Sequence, residues 1–139
     1  MNYKIVAKYI KNLNFKIPNP KTFFLLSKDI ANYKINIDIK SNQFEKKIIE
    51  VETSLSLNPI KNDFEKTDTK IVRSTIVELT SETQDKKELE KIILIDIPTQ
   101  IYPDIRNSFI FLFEKSGFKE IKIDEFVDFK KLHDKKTIQ

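Results

Sequence analysis

Residues 33–40 read YKINIDIK, and residues 44–57 read FEKKIIEVETSLSL. In the first stretch every second residue is apolar, and in the second the apolar series runs from Ile49 to Leu57 with polar residues between its members. Because side chains alternate between the two faces of a strand, each stretch predicts a strand with one buried and one wet face. The polar segment SNQ at 41–43 favours a turn, so an antiparallel hairpin is expected.

Two further strands are predicted on either side of this hairpin. The first spans residues 3–17, with Ile5, Ala7 and Tyr9 on one alternating face, and it stops at the prolines that follow, since proline cannot continue a strand ladder. The other is TKIVRSTIVELT at 69–80. No helical crossover is predicted between the strands, so the sheet is expected to be antiparallel.

The last third of the chain is predicted to be helical. From Thr99 to Ser116 one apolar stripe contains Ile101, Ile105, Phe109 and Leu112, with Phe113 beside it, and Gly117 follows where a left-handed cap is common. Other apolar residues of this helix, Tyr102, Ile110 and Phe111, lie off the stripe. A helix that is apolar on two sides needs two partners, which we expect to be its own sheet and a second copy of the chain.

The segments before and after this helix call for separate predictions. Residues 84–97 combine helix-favouring and strand-favouring halves, so their structure stays open between helix and strand. Near the end of the chain Asp128 is expected to cap a short helix that carries Phe129 and Leu132. Residues 134–139 are expected to form a mobile tail.

Composition excludes several classes of function. The chain has 139 residues, no cysteine, one histidine and one glycine, with a net charge of +4. A thiolate or multi-histidine metal site and a glycine-rich phosphate loop are therefore excluded, and no cofactor is expected. We expect one domain over residues 1–139, with no signal peptide and no membrane insertion, in a soluble cytoplasmic protein.

Two candidate catalytic groups have simpler explanations. His133 lies near the chain end without a patterned partner, and a solvent-facing position explains it better than a general base. Glu50 and Glu52 share one strand face, and close carboxylates can act as an acid–base pair. A solvated lysine-rich surface explains them better. No catalytic residue is assigned, and the chain is not expected to be an enzyme.

The run Phe23-Phe24-Leu25-Leu26 is harder to explain as an ordinary surface. It falls in a predicted crossover between strands, where a one-sided sheet cannot bury four consecutive large side chains. Two explanations remain for this run: it forms a loop folded over the core, or it lines a groove that faces a partner. Apolar grooves beside open strand edges suit the binding of extended peptides.

Four stretches in order resemble the SecB family of protein-export chaperones. They are YIKNLNFKIPNP at 9–20, KDI followed by YKINIDI at 28–39, IPTQIYPDIR at 97–106 and GFKEIKIDEFVDFKKL at 117–132. The resemblance implies an α+β fold, a four-stranded antiparallel sheet with a long helix and a short C-terminal helix packed on one face.

The resemblance also implies a function. Members of this family hold unfolded precursor proteins in apolar grooves without ATP and pass them to the SecA motor. They form homotetramers through their strands and long helix, and here dimer and tetramer both stay open. The implied client groove contains Phe23, Phe24, Leu26, Ile30, Tyr33, Phe129 and Leu132. The expected oligomer interface contains Tyr102, Ile105, Phe109, Ile110, Phe111, Leu112 and Phe113.

The chain departs from the family where the motor docks. The family has acidic residues there, and the matching positions here are Asn12, Lys16 and Lys70. A basic residue at such a face repels a basic partner patch. A SecB-like chaperone dedicated to one client, such as an antitoxin, is therefore the alternative to export with SecA. A single-stranded nucleic-acid binder is a third hypothesis, suggested by YKIVAKYIKNLNFK at 3–16, although acidic residues throughout the chain argue against it.

Overall fold

The computed structural model describes residues 3–28, 33–59, 67–80, 85–119 and 121–138. Four strands form one antiparallel sheet in the order β1-β4-β3-β2. The strands are β1 (Tyr3–Asn14), β2 (Tyr33–Glu45), β3 (Ile48–Pro59) and β4 (Lys70–Leu79). The helices are α1 (Pro20–Lys28), α2 (Lys86–Lys91), a π-helical turn (Ile92–Asp96), α3 (Ile97–Lys115) and α4 (Phe129–Ile138). The predicted four-stranded antiparallel sheet with one long and one short C-terminal helix is confirmed.

The two faces of the sheet differ as the alternation of β2 and β3 predicted. Residues paired directly across neighbouring strands share a face, and Ile37 pairs with Leu55, which pairs with Ile71. Leu55 and Ile71 have no exposed surface, because this face packs against α3. We call it the helix face, and we call the opposite one the open face.

Strand β1 does not keep one alternation along its length. Its pairing with β4 shifts between Ile5 and Ala7 and again between Ile10 and Asn12. Each shift is a β-bulge, which moves the residues that follow to the other face. Ile5 therefore lies on the helix face while Ala7 and Tyr9 lie on the open face, so the prediction that these three share a face is wrong.

The hairpin between β2 and β3 turns later than the sequence suggested. Residues 41–43 continue β2, and the turn falls at Lys46 and Lys47. Lys47 has a φ of 67°, and a left-handed residue beside a shift in strand pairing, which lies here between Gln43 and Glu45, is typical of a short hairpin closed by a bulge. Its carbonyl accepts a 2.7 Å hydrogen bond from the Leu79 amide of β4, which fixes the turn against the sheet.

The segment 84–97, left open between helix and strand, is helical from Lys86 onward. Asp85 caps α2, since its carboxylate accepts hydrogen bonds from the Lys87 and Glu88 amides at 3.0 and 3.4 Å. The helix then passes through the π-helical turn into α3 without a break. Gly117, with a φ of 112°, follows the end of α3 as the C-terminal signal predicted.

The second side of α3 packs against its own chain. The Tyr102 hydroxyl donates to the Asp124 carbonyl at 2.5 Å, and the Arg106 Nε donates to the Ile123 carbonyl at 3.2 Å. The segment after Gly117 thus covers the part of this side of α3 that contains Tyr102 and Arg106. Four of the expected interface residues are core residues with at most 4% exposure: Tyr102, Ile105, Phe109 and Phe113. They leave almost no surface for a partner.

The run at 23–26 lies in helix α1, neither in a loop nor in an extended crossover. Asn19 starts the helix, because its side-chain oxygen accepts from the Thr22 amide at 2.9 Å, and Pro20 occupies the first helical position. Helical geometry separates the four apolar residues: Leu26 is buried and Phe24 is 60% exposed.

Helix α4 continues through residues 134–138, where a mobile tail was expected. Its backbone is helical to Ile138, and the mobility of this end stays a prediction. Among the described residues no helix is long and apolar enough to cross a bilayer.

Candidate functional site

A cavity of about 140 Å³ lies between the edge strand β2, the π-helical turn and α4. The residues that line it are Ile37, Ile39, Leu94, Phe129, Leu132 and His133. Five of these six are apolar, and a volume of this size accommodates one large apolar side chain. We call it the β2 cavity.

Sheet geometry, a ring contact and a helix cap hold the residues that line the β2 cavity in position. Ile37 and Ile39 point to the helix face near the edge of the sheet, where α3 no longer covers them fully, so they stay half-buried. The ring of Phe129 contacts the ring of Tyr102, with the centroids 6.1 Å apart. Asp128 caps α4 by accepting from the Lys131 amide at 3.0 Å, as predicted. The cap and the ring contact hold α4 above β2.

Strand β2 is an edge of the sheet. Within the described part of the chain, β3 is its only strand neighbour. One side of the β2 backbone therefore has no strand to pair with, which is the arrangement to which extended peptides add. The β2 cavity and this edge lie side by side.

The structure separates the residues that were expected to form one client groove. Leu132 lines the β2 cavity and is 43% exposed. Phe129 lines it too but is 2% exposed, so it supports the cavity from the core. Leu26 is 3% exposed and is a core residue. Ile30 and the side chain of Tyr33 lie outside the described residues.

Neither Phe23 nor Phe24 lines the β2 cavity. The Phe23 ring packs on Phe118 with a centroid distance of 4.7 Å, so it anchors α1. The Phe24 ring lies edge-on to the Phe23 ring, with the centroids 5.6 Å apart, and is 60% exposed. Of the two, Phe24 offers the larger exposed surface.

Sequence analysis missed four cavity residues: Ile37, Ile39, Leu94 and His133. For Ile37 and Ile39 a signal existed, because their strand alternates and could lie at a sheet edge. For Leu94 the signal was weak, since the structure of 84–97 was open. His133 was interpreted as solvent-facing, whereas its side chain is 24% exposed and its Nε2 lies 4.0 Å from a Glu90 carboxylate oxygen.

The acidic pair of β3 is part of a polar network on the open face. The Glu50 carboxylate accepts from the Ser74 hydroxyl at 2.6 Å, from Tyr9 at 3.2 Å and from Lys11 at 3.2 Å. The Ser74 hydrogen bond holds the pKa of Glu50 below its usual value, and Lys11 adds to this effect. The Glu50 carboxylate of β3 thus links this strand to β1 and β4 through hydrogen bonds. Lys11 also lies 3.5 Å from Glu52.

No metal-binding group of His, Cys, Asp or Glu side chains occurs in the ranges that the structure describes. The hydroxyl of Tyr102, whose pKa is raised mainly by burial, acts as a hydrogen-bond donor to the connecting segment. These titratable groups have structural roles.

The three expected motor-docking positions lie near one end of the sheet. Asn12 pairs with Val72 and Asn14 pairs with Lys70, both in the β1–β4 ladder. Lys16 follows β1, and its carbonyl accepts from the Asp68 amide at 3.3 Å. Asn12, Lys16 and Lys70 are all exposed.

A second apolar surface lies on β1 and α3. Val6, Ile10 and Leu13 of β1 are 45–54% exposed, and Phe111 of α3 is 56% exposed. Helix α3 and β1 are tied together by Lys8–Asp104 at 3.9 Å and by Gln100 donating to the Tyr3 hydroxyl at 2.7 Å. Of the seven expected interface residues, only Phe111 is largely exposed; Ile110 and Leu112 are half-buried.

The family model of SecB, the preprotein translocase subunit, matches residues 1–139. A curated relative from Pelagibacter ubique (strain HTCC1062), named "Putative protein-export protein SecB", is 38% identical over 132 residues, which cover 95% of this chain and 94% of the relative.

A solved structure has the same fold. It is the SecB-like chaperone Rv1957 of Mycobacterium tuberculosis in complex with a ChAD peptide from the Rv1956 HigA1 antitoxin. Its TM-score is 0.65 at 11% identity, over 91% of this chain and 88% of that one. The match of the family model to the whole length, together with the close relative, shows that the chain belongs to the SecB family.

Proposed function

We propose that this chain is an ATP-independent holding chaperone, not an enzyme, and that it binds unfolded or precursor polypeptides at the β2 cavity. The observation that carries the proposal is an apolar cavity with an open mouth, beside a free strand edge, in a member of the SecB family. The walls are apolar and offer few polar groups for specific recognition. Such a site favours large apolar side chains without requiring one sequence.

The energetics suit a holding function. Burial of one large apolar side chain contributes about 1.5–3 kcal/mol, so a single cavity gives only weak binding. An assembly of several copies presents several cavities to one long client, and linked weak sites raise the overall affinity. A holding chaperone needs weak single sites with a high overall affinity, because each contact must also be able to release the client.

Self-association is part of the proposal. The exposed apolar residues of β1 and Phe111 of α3 support it, since exposed large apolar side chains on two linked elements are typical of an interface between subunits. Phe111, Ile110 and Leu112 are the members of the expected interface that keep surface to contribute. A homodimer and a homotetramer are both compatible with this surface.

Two destinations for a bound client are proposed. Export is favoured by the protein-export name of the Pelagibacter relative. Service to one dedicated client is favoured by Lys16 and Lys70, because basic side chains at a docking face disfavour a basic motor surface. The neighbouring fold from Mycobacterium tuberculosis, solved with an antitoxin peptide, supports the same alternative.

Arrest of refolding tests the proposal. A slow-folding precursor, unfolded by denaturant, is diluted with and without a stoichiometric amount of this protein in the absence of nucleotide. We expect refolding to be arrested at near-equal amounts. If refolding proceeds unchanged, general holding activity is wrong, and a stoichiometric partner in a pull-down would then indicate a dedicated client.

A further inference from the structure

We infer that a belt of polar side chains divides the core of this chain into two parts that shift relative to each other about Pro103, and that this shift adjusts the width of the β2 cavity. The inference rests on the proposed function where it concerns clients, whereas the division of the core can be measured without a client. It follows from the order of apolar and polar residues along the helix face and from a proline inside α3.

The buried apolar residues of the helix face form two separate clusters. On β3, Val51 belongs to the first cluster and Leu55 belongs to the second. On β4, Val77 belongs to the first cluster and Ile71 belongs to the second. Each of these strands therefore passes from one cluster to the other within a few residues.

The helix-face residues between the two clusters are polar. Thr53 of β3 pairs directly with Arg73 of β4, and Thr75 lies two residues further along the same face of β4. On β1, Lys8 pairs with Thr75, and its amine lies 3.9 Å from a carboxylate oxygen of Asp104 on α3. We call these five residues the polar belt. The belt crosses three strands and reaches the helix that covers them.

The polar belt joins the two clusters weakly. Thr53 and Thr75 are 1% and 0% exposed, and their hydroxyls have no hydrogen-bond partner among the described residues. The Nε of Arg73 is also buried without a partner in the same part of the chain. A buried polar group without a partner costs free energy, so the core loses the least stability when it opens along this layer.

Helix α3 is weakened at the same level. Ile101 belongs to the first cluster, Ile105 belongs to the second, and Pro103 lies midway between them. Proline has no amide hydrogen, so the Thr99 carbonyl receives no helical hydrogen bond from residue 103, and prolines inside helices are common sites of bending. A bend at Pro103 moves the first part of α3 and the π-helical turn before it, and it leaves both clusters intact.

The β2 cavity lies across this division. Leu94 lines the cavity from the π-helical turn, which belongs to the first cluster through Ile92. Phe129 lines the cavity from α4 and belongs to the second cluster. A shift of the turn relative to α4 therefore widens or narrows the cavity between Leu94 and Phe129. A cavity of adjustable width takes client side chains of different sizes, which a chaperone for many sequences needs.

Hydrogen exchange of the full chain without a client tests the division of the core. Thr53→Val and Thr75→Val are combined, because valine keeps the branched shape of threonine and removes the hydroxyl. We expect this double variant to unfold at a temperature about 3–6 °C higher. We also expect the amides of residues 92–101 to exchange about tenfold more slowly than in the wild type, with little change at residues 105–113.

Two further variants make this test specific. Thr69→Val is the matched control, since Thr69 is 3% exposed and its hydroxyl also lacks a partner among the described residues, but it lies before β4 and outside the belt. It should not slow residues 92–101 selectively. Pro103→Ala restores a helical amide and should slow them. Equal exchange of the two segments in the wild type, or the same selective slowing by Thr69→Val, would overturn the division.

A pair of peptides that differ in one residue, leucine or tryptophan, tests the effect on the cavity. The chain has no tryptophan, so the fluorescence of the tryptophan peptide reports its binding, and competition gives the affinity of the leucine peptide. We expect the wild type to bind both peptides with affinities within about threefold of each other. The double threonine variant should bind the tryptophan peptide about tenfold more weakly and the leucine peptide unchanged.

The outcomes separate this inference from the proposed function. If the double variant keeps the wild-type ratio of the two affinities, the adjustable cavity is overturned and the holding function stands. If neither peptide binds the wild type, the proposed function is overturned, and with it the role of the polar belt in client binding.

Discussion

The ring of Phe23 packs on the ring of Phe118, with their centroids 4.7 Å apart and an interplanar angle of 39°. Phe118 in turn contacts Phe113 at the end of α3, at 5.2 Å. Helix α1 is thus fastened to the end of α3 by an aromatic chain. Phe23, whose neighbour Phe24 is exposed, is therefore a structural residue, and the two phenylalanines should respond differently to mutation.

Phe23→Ala should destabilise the fold by about 2–4 kcal/mol, because it removes a large aromatic contact and leaves a void. Phe24→Ala should cost less, about 0.5–1 kcal/mol, since its ring is 60% exposed and gives up only the edge-on contact with Phe23. Urea unfolding of both variants measures the difference. Equal destabilisation by the two substitutions would contradict the anchoring role of Phe23.

Much of the sheet could be predicted because its signal is local. The alternation of β2 assigned Ile35, Ile37 and Ile39 to one face, and the pairing with β3 confirms that assignment. In β1 the same reasoning failed. Each bulge adds a residue that no local pattern announces, and the bulge after Ile5 moved Ala7 and Tyr9 to the opposite face.

The candidate site was harder to predict than the sheet, since it depends on which elements come together. Leu132 was identified, but Leu94 lies on a π-helical turn inside a segment of mixed propensity. The start of helix α1 could have been predicted from the sequence, because Asn19 before Pro20 is a common helix start. Part of the interface expected on α3 is instead buried within the chain, because the segment after Gly117 folds back on Tyr102 and Arg106.

Gly117→Ala should destabilise the fold by about 1–2 kcal/mol. The cost comes from the backbone, because Gly117 has a φ of 112°, which residues with a Cβ adopt at a penalty. It does not come from crowding, since an added Cβ would lie 3.6 Å from the Phe23 ring, an ordinary contact distance. Thermal unfolding measures the loss. Gly117→Asn, a residue that tolerates left-handed backbone better, should lose less, and an equal or larger loss for asparagine would contradict this explanation.

Glu50 should make the stability of the fold depend on pH. Its folded-state pKa lies below the usual 4.5, chiefly through the Ser74 hydrogen bond. A carboxyl with a lowered pKa contributes stability above its unfolded pKa and loses that contribution as pH falls through the folded value. Glu50→Gln should therefore be less stable than the wild type at pH 7, and the gap should shrink below pH 4.5.

Urea unfolding at a series of pH values measures this gap. Ser74→Ala should shrink the same pH-dependent difference, because it removes the main cause of the shift. A constant gap between wild type and Glu50→Gln from neutral to acidic pH would show that the carboxylate charge is not what the network stabilises.

Tyr102→Phe should cost about 1 kcal/mol, since it removes one partly buried hydrogen bond and keeps the ring. The lost bond ties α3 to the carbonyl of Asp124, just before α4. Hydrogen exchange should therefore accelerate in α4 more than in β3. The ring contact with Phe129 is preserved in this variant, so Tyr102→Ala should cost more, and a Tyr102→Phe variant as stable as the wild type would mean that the hydroxyl has no role.

The two exposed apolar surfaces should separate client binding from self-association. Leu132→Glu places a charge at the mouth of the β2 cavity, and Phe111→Glu places one on the surface formed by β1 and α3. We expect Leu132→Glu to lose arrest of client refolding while its mass in solution is unchanged. Phe111→Glu should lower the mass in solution, because a charge in an apolar interface is strongly disfavoured.

Sedimentation equilibrium and the refolding assay, run on the same samples, distinguish the outcomes. Phe111→Glu should also weaken arrest, but only for long clients, because fewer linked cavities remain per assembly. A short peptide that fills one cavity should bind this variant as it binds the wild type. If Leu132→Glu changed the mass and Phe111→Glu abolished short-peptide binding, the roles of the two surfaces would be exchanged.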